Sequence, residues 1–433
     1  MASMNRKARV AMWGVICFGG MMACETLKNP LEVEPASRIP AEVLEVPQNA
    51  QLLSDGAVGD FECAFGSYTV QGGTIGEEFI YAQQTADRAP YDRRTTTKDD
   101  GRYATNSCTG LGVYTPLQIA RSSNENLLAR LKSWTDEEVA AGPGSPKRIN
   151  LIAIAAAYAG YAYVLLGEGF CTMAISTINL DKSITYGTEI TRDSVFSLAI
   201  GRFTEAIAAA TTAGNASILN MALLGRARAK LDKGDYAGAK ADAALIPPGY
   251  VRNVTASDID DRRRNKVVQE NSATSRSLSV GTPYRTLNDP RVPVTATTNI
   301  SATGIIHFYQ TKYANTSAPI PLASYEEAQL IIAEVEIRAN NLAAALPILN
   351  ASRTRGGQGA FTGTTQADYL AELIDQRRRE LFAESQHLGD IIRFNITLTP
   401  AAGTPYHFGG VYGNQICLPL PSAERLNNPT IGG

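Results

Sequence analysis

Three histidines, His307, His387 and His407, lie scattered along the chain without the short spacings by which imidazoles share a metal ion. Glu77-Glu78 and Asp99-Asp100 are paired carboxylates. Two acids facing one another across a cleft could cleave a glycosidic bond, but in segments this polar the pairs read as solvated charge. The run Asp258 to Arg264 (DIDDRRR) reads as an exposed loop whose charges compensate one another, and it lacks the spacing and the glycine of a calcium loop. Neither a G-x-S-x-G elbow nor a Walker loop is present. The expectation is a chain with no catalytic residue, no metal and no cofactor. Binding chemistry has better material, because an aromatic ring offers a flat apolar face to a ligand while polar side chains reach its hydrogen-bonding groups. The candidates are Tyr81, Tyr91 and Tyr103 in one polar stretch and Tyr284 and Tyr309 in another. Arg102, with Arg93 and Arg94 nearby, could add hydrogen bonds. Beyond residue 23 the only tryptophan is Trp134, at a helix end.

Cysteine chemistry points to an exported protein. Arg6, Lys7 and Arg9 precede an apolar run from Val10 to Met22, which ends in Ala23-Cys24. That run is shorter than the roughly 20 residues needed to span a bilayer, and it fits the apolar segment of a signal peptide. A small residue followed directly by cysteine resembles a bacterial lipobox, with cleavage before Cys24 and lipid on its thiol. Cys63, Cys108, Cys171 and Cys417 remain, an even number without metal-ligand spacing. Two disulfides are expected, Cys63 with Cys108 and Cys171 with Cys417, each stabilising by roughly 2–4 kcal/mol. The leader holds three of the 40 basic residues and none of the 42 acidic ones, so the formal charge of −2 falls further on cleavage. No basic patch of the kind nucleic acid demands is present.

The elements that must position these groups are mostly helical. Residues 116–132, 194–212, 217–232, 235–245, 324–339, 342–353 and 366–384 carry helical periodicity or helix-start signals. Residues 148–168 are apolar nearly all round and read as a buried helix; no segment after the leader is read as a membrane span. Ser324-Tyr-Glu-Glu327 has the form of a capping box. Residues 221–245 align with 327–351 at an offset of 106, placing Ala222, Leu224, Ala227, Ala237 and Ala239 over Ala328, Leu330, Ala333, Ala343 and Ala345. Each copy reads as a helix, a tight Gly-Asp or Asn-Asn turn and a second helix, which resembles the tetratricopeptide unit. Such hairpins cannot bury a face alone and must stack. The fold class expected is mainly α, with tetratricopeptide-like hairpins at about 116–245 and 323–395. Loop-rich parts with short strands are expected at about 68–115, 250–322 and 396–433. Residues 1–23 read as the leader, 24–45 as a proline-punctuated tether and 46–433 as the folded body.

Near the C-terminus a family resemblance becomes specific. QRRRELFAESQHLGDIIR (Gln376–Arg393) resembles ERRRELAFEGHRWFDLIR of the SusD/RagB outer-membrane lipoproteins, with Arg377, Arg378, Arg379, Glu380, Leu381, Glu384, Asp390 and Arg393 on matching positions. SYEEAQLIIAEVEIRANNLAAALPILNASRTRGG resembles that family's YADVLLMYAEA…LINEVRARAG. PLQIARSSNENLLARL resembles LYRAINRANNVLERL, with Asn124 and Asn126 near its paired asparagines. Ile416 to Pro421 with Leu426 to Pro429 is similar to its closing FPIP…LNPNL. Leu388-Gly389 and Gln386-His387 depart from the pattern and mark a divergent branch. The resemblance implies a non-enzymatic lipoprotein, anchored in the outer membrane and facing the cell exterior. It further implies capture of oligosaccharide or peptide nutrients for a TonB-dependent SusC-like transporter. The charged helix would then clamp itself onto its neighbours. A second reading is a tetratricopeptide adaptor or assembly lipoprotein that binds other envelope proteins.

Overall fold

Alanine-rich helices with one apolar face need partners, and this chain supplies them by packing consecutive helices against one another. The computed structural model describes residues 41–83 and 88–431. It divides into two units, residues 1–46 and 47–433. Of the first, residues 41–46 are described, with one helical turn at Ala41–Leu44; the leader, Cys24 and most of the tether lie outside the described residues. The second unit contains α1 (Ala50–Ile75), α2 (Tyr114–Ser133), α3 (Arg148–Gly169), α4 (Arg192–Ala213), α5 (Ala216–Asp232) and α6 (Tyr236–Ala243). It continues with α7 (Tyr325–Arg338), α8 (Leu342–Arg355), α9 (Gln366–Glu380) and α10 (His387–Phe394). Helix α1 packs on α2, both pack on α3, and the series runs on through α4, α5, α6, α7 and α8 to α9. This is the tetratricopeptide-like scaffold the repeat implies.

Matched repeat positions share matched environments. Ala222, Leu224, Ala227 and Ala239 are fully buried, as are Ala328, Leu330, Ala333 and Ala345, whereas Ala237 and Ala343 are both exposed. The turns correspond as well: Gly234 (φ 82°) and Asn340 (φ 57°) take the left-handed conformation, and Asp235 and Asn341 start the second helices. Glycine fixes one crossing. A Cβ on Gly225 of α5 would lie 2.3 Å from the Phe203 ring of α4, and one on Gly160 of α3 would lie 2.7 Å from it. The bare backbones therefore make room for a fully buried phenylalanine, worth about 2–3 kcal/mol of burial. Helix α3 is long and apolar enough to cross a membrane, contrary to the expectation for this part of the chain, but most of it is buried in the helical stack.

The interior between α3, α5, α7, α9 and α10 is charged. Arg228 donates to both oxygens of Glu168 at 2.6 Å. Arg377 meets Asp390 at 2.8 Å, and Arg393 joins Asp232 (2.7 Å), Glu334 (3.1 Å) and Asp390 (2.6 Å). Burial opposes the charge on Asp390, but Arg377 and Arg393 outweigh it and hold its pKa down at about 2. On the other side of α9, Arg291 bridges Asp289 and Glu380, and Arg379 bridges Asp289 and Asp375. The basic helix is thus clamped on both sides. Ser324 caps α7 by accepting from Glu327 N–H at 3.2 Å. Glu327 does not return that bond; its carboxylate is buried 3.9 Å from Arg228, so the expected box is half made.

The loop-rich material departs from expectation at its start. Helix α1 runs through residues 68–75, and every residue from Phe61 to Gly76 is buried. With no solvent face it shows no periodic stripe, and its glycines (Gly56, Gly59, Gly66, Gly72, Gly73) hid it further. Glu78 follows, buried rather than solvated: its Oε1 accepts from Ala383 N–H at 2.8 Å. Asp99 accepts from Ser422, and Asp100 caps the short helix Gly101–Thr105. The Asp258–Arg264 run is tied to α1 by Arg262–Asp60 (2.6 Å) and Arg263–Glu62 (3.0 Å). Five short strands, β1 (Phe79–Tyr81), β2 (Thr172–Ala174), β3 (Thr177–Ile178), β4 (Ile184–Thr185) and β5 (Glu189–Thr191), precede β6 (Val251–Val254). Strand β6 leaves the scaffold after α6 and pairs antiparallel with β10 (Ile320–Ser324), which leads directly into α7. Both disulfides form as paired above, closing spans of 45 and 246 residues. Beside the second, Cys171 N–H donates to Leu418 O at 2.9 Å and Leu418 N–H to Gly169 O at 2.8 Å.

Candidate functional site

Between β6 and β10 the chain contributes strands to two small two-stranded sheets. Strand β7 (Leu278–Val280) pairs with β1 (Phe79–Tyr81), and β8 (Val294–Ile300) pairs with β9 (Ile306–Gln310). Side chains join the two pairs. Ser279 Oγ donates to Ile306 O (2.9 Å) and accepts from Phe308 N–H (3.0 Å). Asn271 donates to Leu278 O and Phe308 O and accepts from Gln310 N–H at 2.7 Å. The register of β9 is therefore pinned. Alternation along the strand puts His307 and Tyr309 on one face, where their rings stack with centroids 6.1 Å apart and planes 15° apart. Phe308 takes the opposite face, under the Arg285 guanidinium at 4.4 Å.

Two cavities meet this stacked pair. The larger, about 610 Å³, is lined by Tyr309 with Gln269, Ser272, Thr274, Thr311 and Asn315 among others. Its charged members are already engaged: Asp258 accepts from Thr316 and from Ser317 at 2.7 Å, and Arg264 meets Asp261 at 3.1 Å. Hydroxyls, carboxamides and the rings of Tyr309 and Tyr313 make up most of the rest of the lining, a set matched to a neutral polyol. The smaller cavity, about 330 Å³, is lined by His307, Gln83, Arg276, Asn299 and Ser301. The segment Ser272–Arg276 forms the rim between them. Among the described residues, Asp258 is the one carboxylate lining either cavity. A single acid cannot fill both carboxylate roles of a glycosidase, and no cluster of metal-ligating side chains is found among the described residues.

Of the sequence candidates, Tyr309 reaches this site. Tyr81, Tyr91, Tyr103 and Tyr284 do not: each is at most 1 % exposed. Tyr81 stacks on Phe408, Tyr284 stacks on Phe382 at 5.1 Å, and Tyr103 donates to Pro419 O at 3.1 Å. In polar segments these rings are the large apolar surfaces, so they are what the fold buries. Arg102 sits half-buried in the first turn of the Gly101–Thr105 helix, away from the cavity linings. Arg93 bonds Thr95, and Arg94 lies over the Tyr412 ring at 4.9 Å. His307, Gln83, Arg276, Asn299 and the Ser272–Ser275 rim had no spacing signal. The β-like run Ile305–Tyr309 was the available clue, since alternation puts His307 beside Tyr309.

A model of the SusD family matches residues 295–419, from β8 to the last landmark before the C-terminus. Solved structures share the fold over most of the chain. A SusD-like carbohydrate-binding protein from Bacteroides vulgatus aligns over 89 % of this chain and 97 % of its own, with 16 % identity and a TM-score of 0.69. A SusD superfamily protein from Parabacteroides distasonis aligns over 91 % and 99 %, with 13 % identity and a TM-score of 0.68. Another from Bacteroides fragilis aligns over 90 % and 99 %, with 14 % identity and a TM-score of 0.66. A search by sequence among curated proteins finds no relative. The SusD family model thus matches residues 295–419, and the fold is shared with SusD superfamily structures along about nine-tenths of the chain.

Proposed function

We propose that the protein captures oligosaccharide nutrients at the cell surface and delivers them to a TonB-dependent SusC-like transporter in the outer membrane. The observation that carries this reading is the Tyr309–His307 stack between two cavities lined by hydroxyls and carboxamides. Tyr309 supplies a ring for a sugar's C–H face, and the surrounding groups can exchange hydrogen bonds with its hydroxyls. A carbohydrate-binding protein of the same fold from Bacteroides vulgatus supports the ligand class. The Ala23-Cys24 junction supports a lipid anchor. The family resemblance supports the outward orientation and the transporter, and it favours a peptide as the next ligand to try.

Calorimetry of the mature chain against an oligosaccharide panel tests capture. Tyr309→Ala is expected to weaken the best ligand about tenfold, the loss of a ring contact worth about 1.4 kcal/mol. Unchanged affinity in that variant, or no saccharide binding at all, overturns the assignment. Delivery is tested by purifying the tagged protein from native membranes. A large outer-membrane barrel should accompany it. Recovery with envelope-assembly proteins and no barrel would favour the adaptor reading instead.

A further inference from the structure

The smaller cavity differs from the larger one in charge. Arg276 stands on its rim in the left-handed conformation (φ 53°), a strained position for a non-glycine residue and one that clusters at ligand sites. Its side chain makes one marginal contact, Nε to Ala273 O at 3.4 Å, and no ion pair among the described residues. His307 lies on the cavity wall, 2 % exposed, and neither ring nitrogen has a hydrogen-bond partner of normal geometry. Leaving a buried polar atom unbonded costs about 1–3 kcal/mol, so a ligand group that satisfies the imidazole regains that energy. Asn299, Ser301 and Gln83 add neutral hydrogen-bonding groups, and no carboxylate lines the cavity among the described residues.

We infer that this cavity is a subsite for an anionic sugar unit, a uronic acid whose carboxylate is held by Arg276 and His307. The inference rests on the carbohydrate reading above and narrows its ligand class. A guanidinium matches a carboxylate with two parallel N–H donors. Burial keeps the imidazole neutral, opposed by a contribution from the Leu278 main chain, and the Arg276 charge adds a smaller push in the same direction as burial; it would bond the sugar through its single N–H. The neighbouring larger cavity, across the Tyr309 ring, then takes the next unit of the chain, which makes the ligand an acidic oligosaccharide.

The test uses the full mature chain and matched probes: oligogalacturonate, oligomannuronate and unsulfated chondroitin oligosaccharides, each beside its carboxyl-methylated form. At low ionic strength the acidic member of one pair is expected to bind at least tenfold more tightly than its ester. Arg276 is exposed, so Arg276→Gln should fold normally and should abolish that preference. His307→Asn should reduce it several-fold. Equal affinities within every pair, or a preference that survives Arg276→Gln, overturns the anionic subsite. If Tyr309→Ala still weakens neutral glycans in that case, carbohydrate capture stands without it. If no glycan of either kind binds, both readings fall together.

Discussion

Replacing Glu78 by Gln should make the protein more resistant to alkali. Glu78 holds a strained residue: its Oε1 accepts from the N–H of Ala383, which sits at φ 57°, and Tyr313 Oη donates to the carbonyl of the same residue at 3.1 Å. The other carboxyl oxygen is buried without a partner. Burial raises the Glu78 pKa from 4.5 to about 8, although the Ala383 bond and Lys312 work against it. The folded state therefore keeps a proton that the unfolded chain releases near pH 4.5. That contribution is fully present below the unfolded value and is lost as pH rises through the folded one. Each pH unit between them is worth about 1.4 kcal/mol, so raising the pH from 6 to 8 removes about 2 kcal/mol, allowing for the upper end of the titration. Glutamine is isosteric with the neutral acid, keeps the acceptor for Ala383 and does not titrate. Urea denaturation of both proteins at pH 6 and pH 8 isolates the effect, because their other groups titrate in common. The variant is expected to lead by about 2 kcal/mol at pH 6, and by about 4 kcal/mol at pH 8. A difference that stays constant across the two pH values would refute the reasoning, since it would mean the carboxyl keeps one charge state throughout.

Two further outcomes follow from the packing. The loops closed by Cys63–Cys108 and Cys171–Cys417 do not overlap and span 45 and 246 residues; chain entropy assigns them about 4 and about 5.5 kcal/mol. The Cys171→Ser/Cys417→Ser pair should therefore lower stability more than Cys63→Ser/Cys108→Ser in chemical denaturation, and the reverse order would contradict the estimate. Gly225→Ala forces a methyl to within 2.3 Å of the Phe203 ring, whereas the same change at Gly201 of α4 meets nothing within 4 Å. The first should cost about 1–3 kcal/mol and the second should stabilise by up to about 1 kcal/mol, so equal melting temperatures would be inconsistent with the close approach.

What could be read from residues alone was set by what leaves a repeating trace. The offset of 106 exposed two helical hairpins because their alanines recur where backbones cross, and Gly234 and Asn340 recur where the turns need a left-handed residue. Arg377 and Asp390 were visible as a motif, and their buried ion pair explains why charge persists there. Helix α1 left no trace, since a helix buried on every side from Phe61 onward has no polar stripe to alternate with its apolar one. Most of the tyrosines expected to face a ligand are buried for a related reason. A ring in a polar segment can serve as an exposed platform or as that segment's own core, and Tyr81, Tyr103 and Tyr284 took the second role. His307 and Arg276 stand out through their three-dimensional surroundings: a buried imidazole without a hydrogen bond of normal geometry and a strained guanidinium without an ion pair among the described residues, both beside one cavity.

The β6–β10 pairing has a consequence for how such a protein can change. Val254 and Ile320 face each other across the ribbon, so everything between them leaves and re-enters the scaffold at a single doorway. Most of both cavity linings lies inside that excursion, with Ala82 and Gln83 contributed from outside it. Insertions, deletions or exchanges within residues 255–319 that spare Asp289, Arg291 and Lys312, which tie this excursion back to α9 and the residues after it, therefore leave the entry and exit points of the helical stack where they were. The rest of the excursion is free to diverge while the frame that carries it is inherited intact.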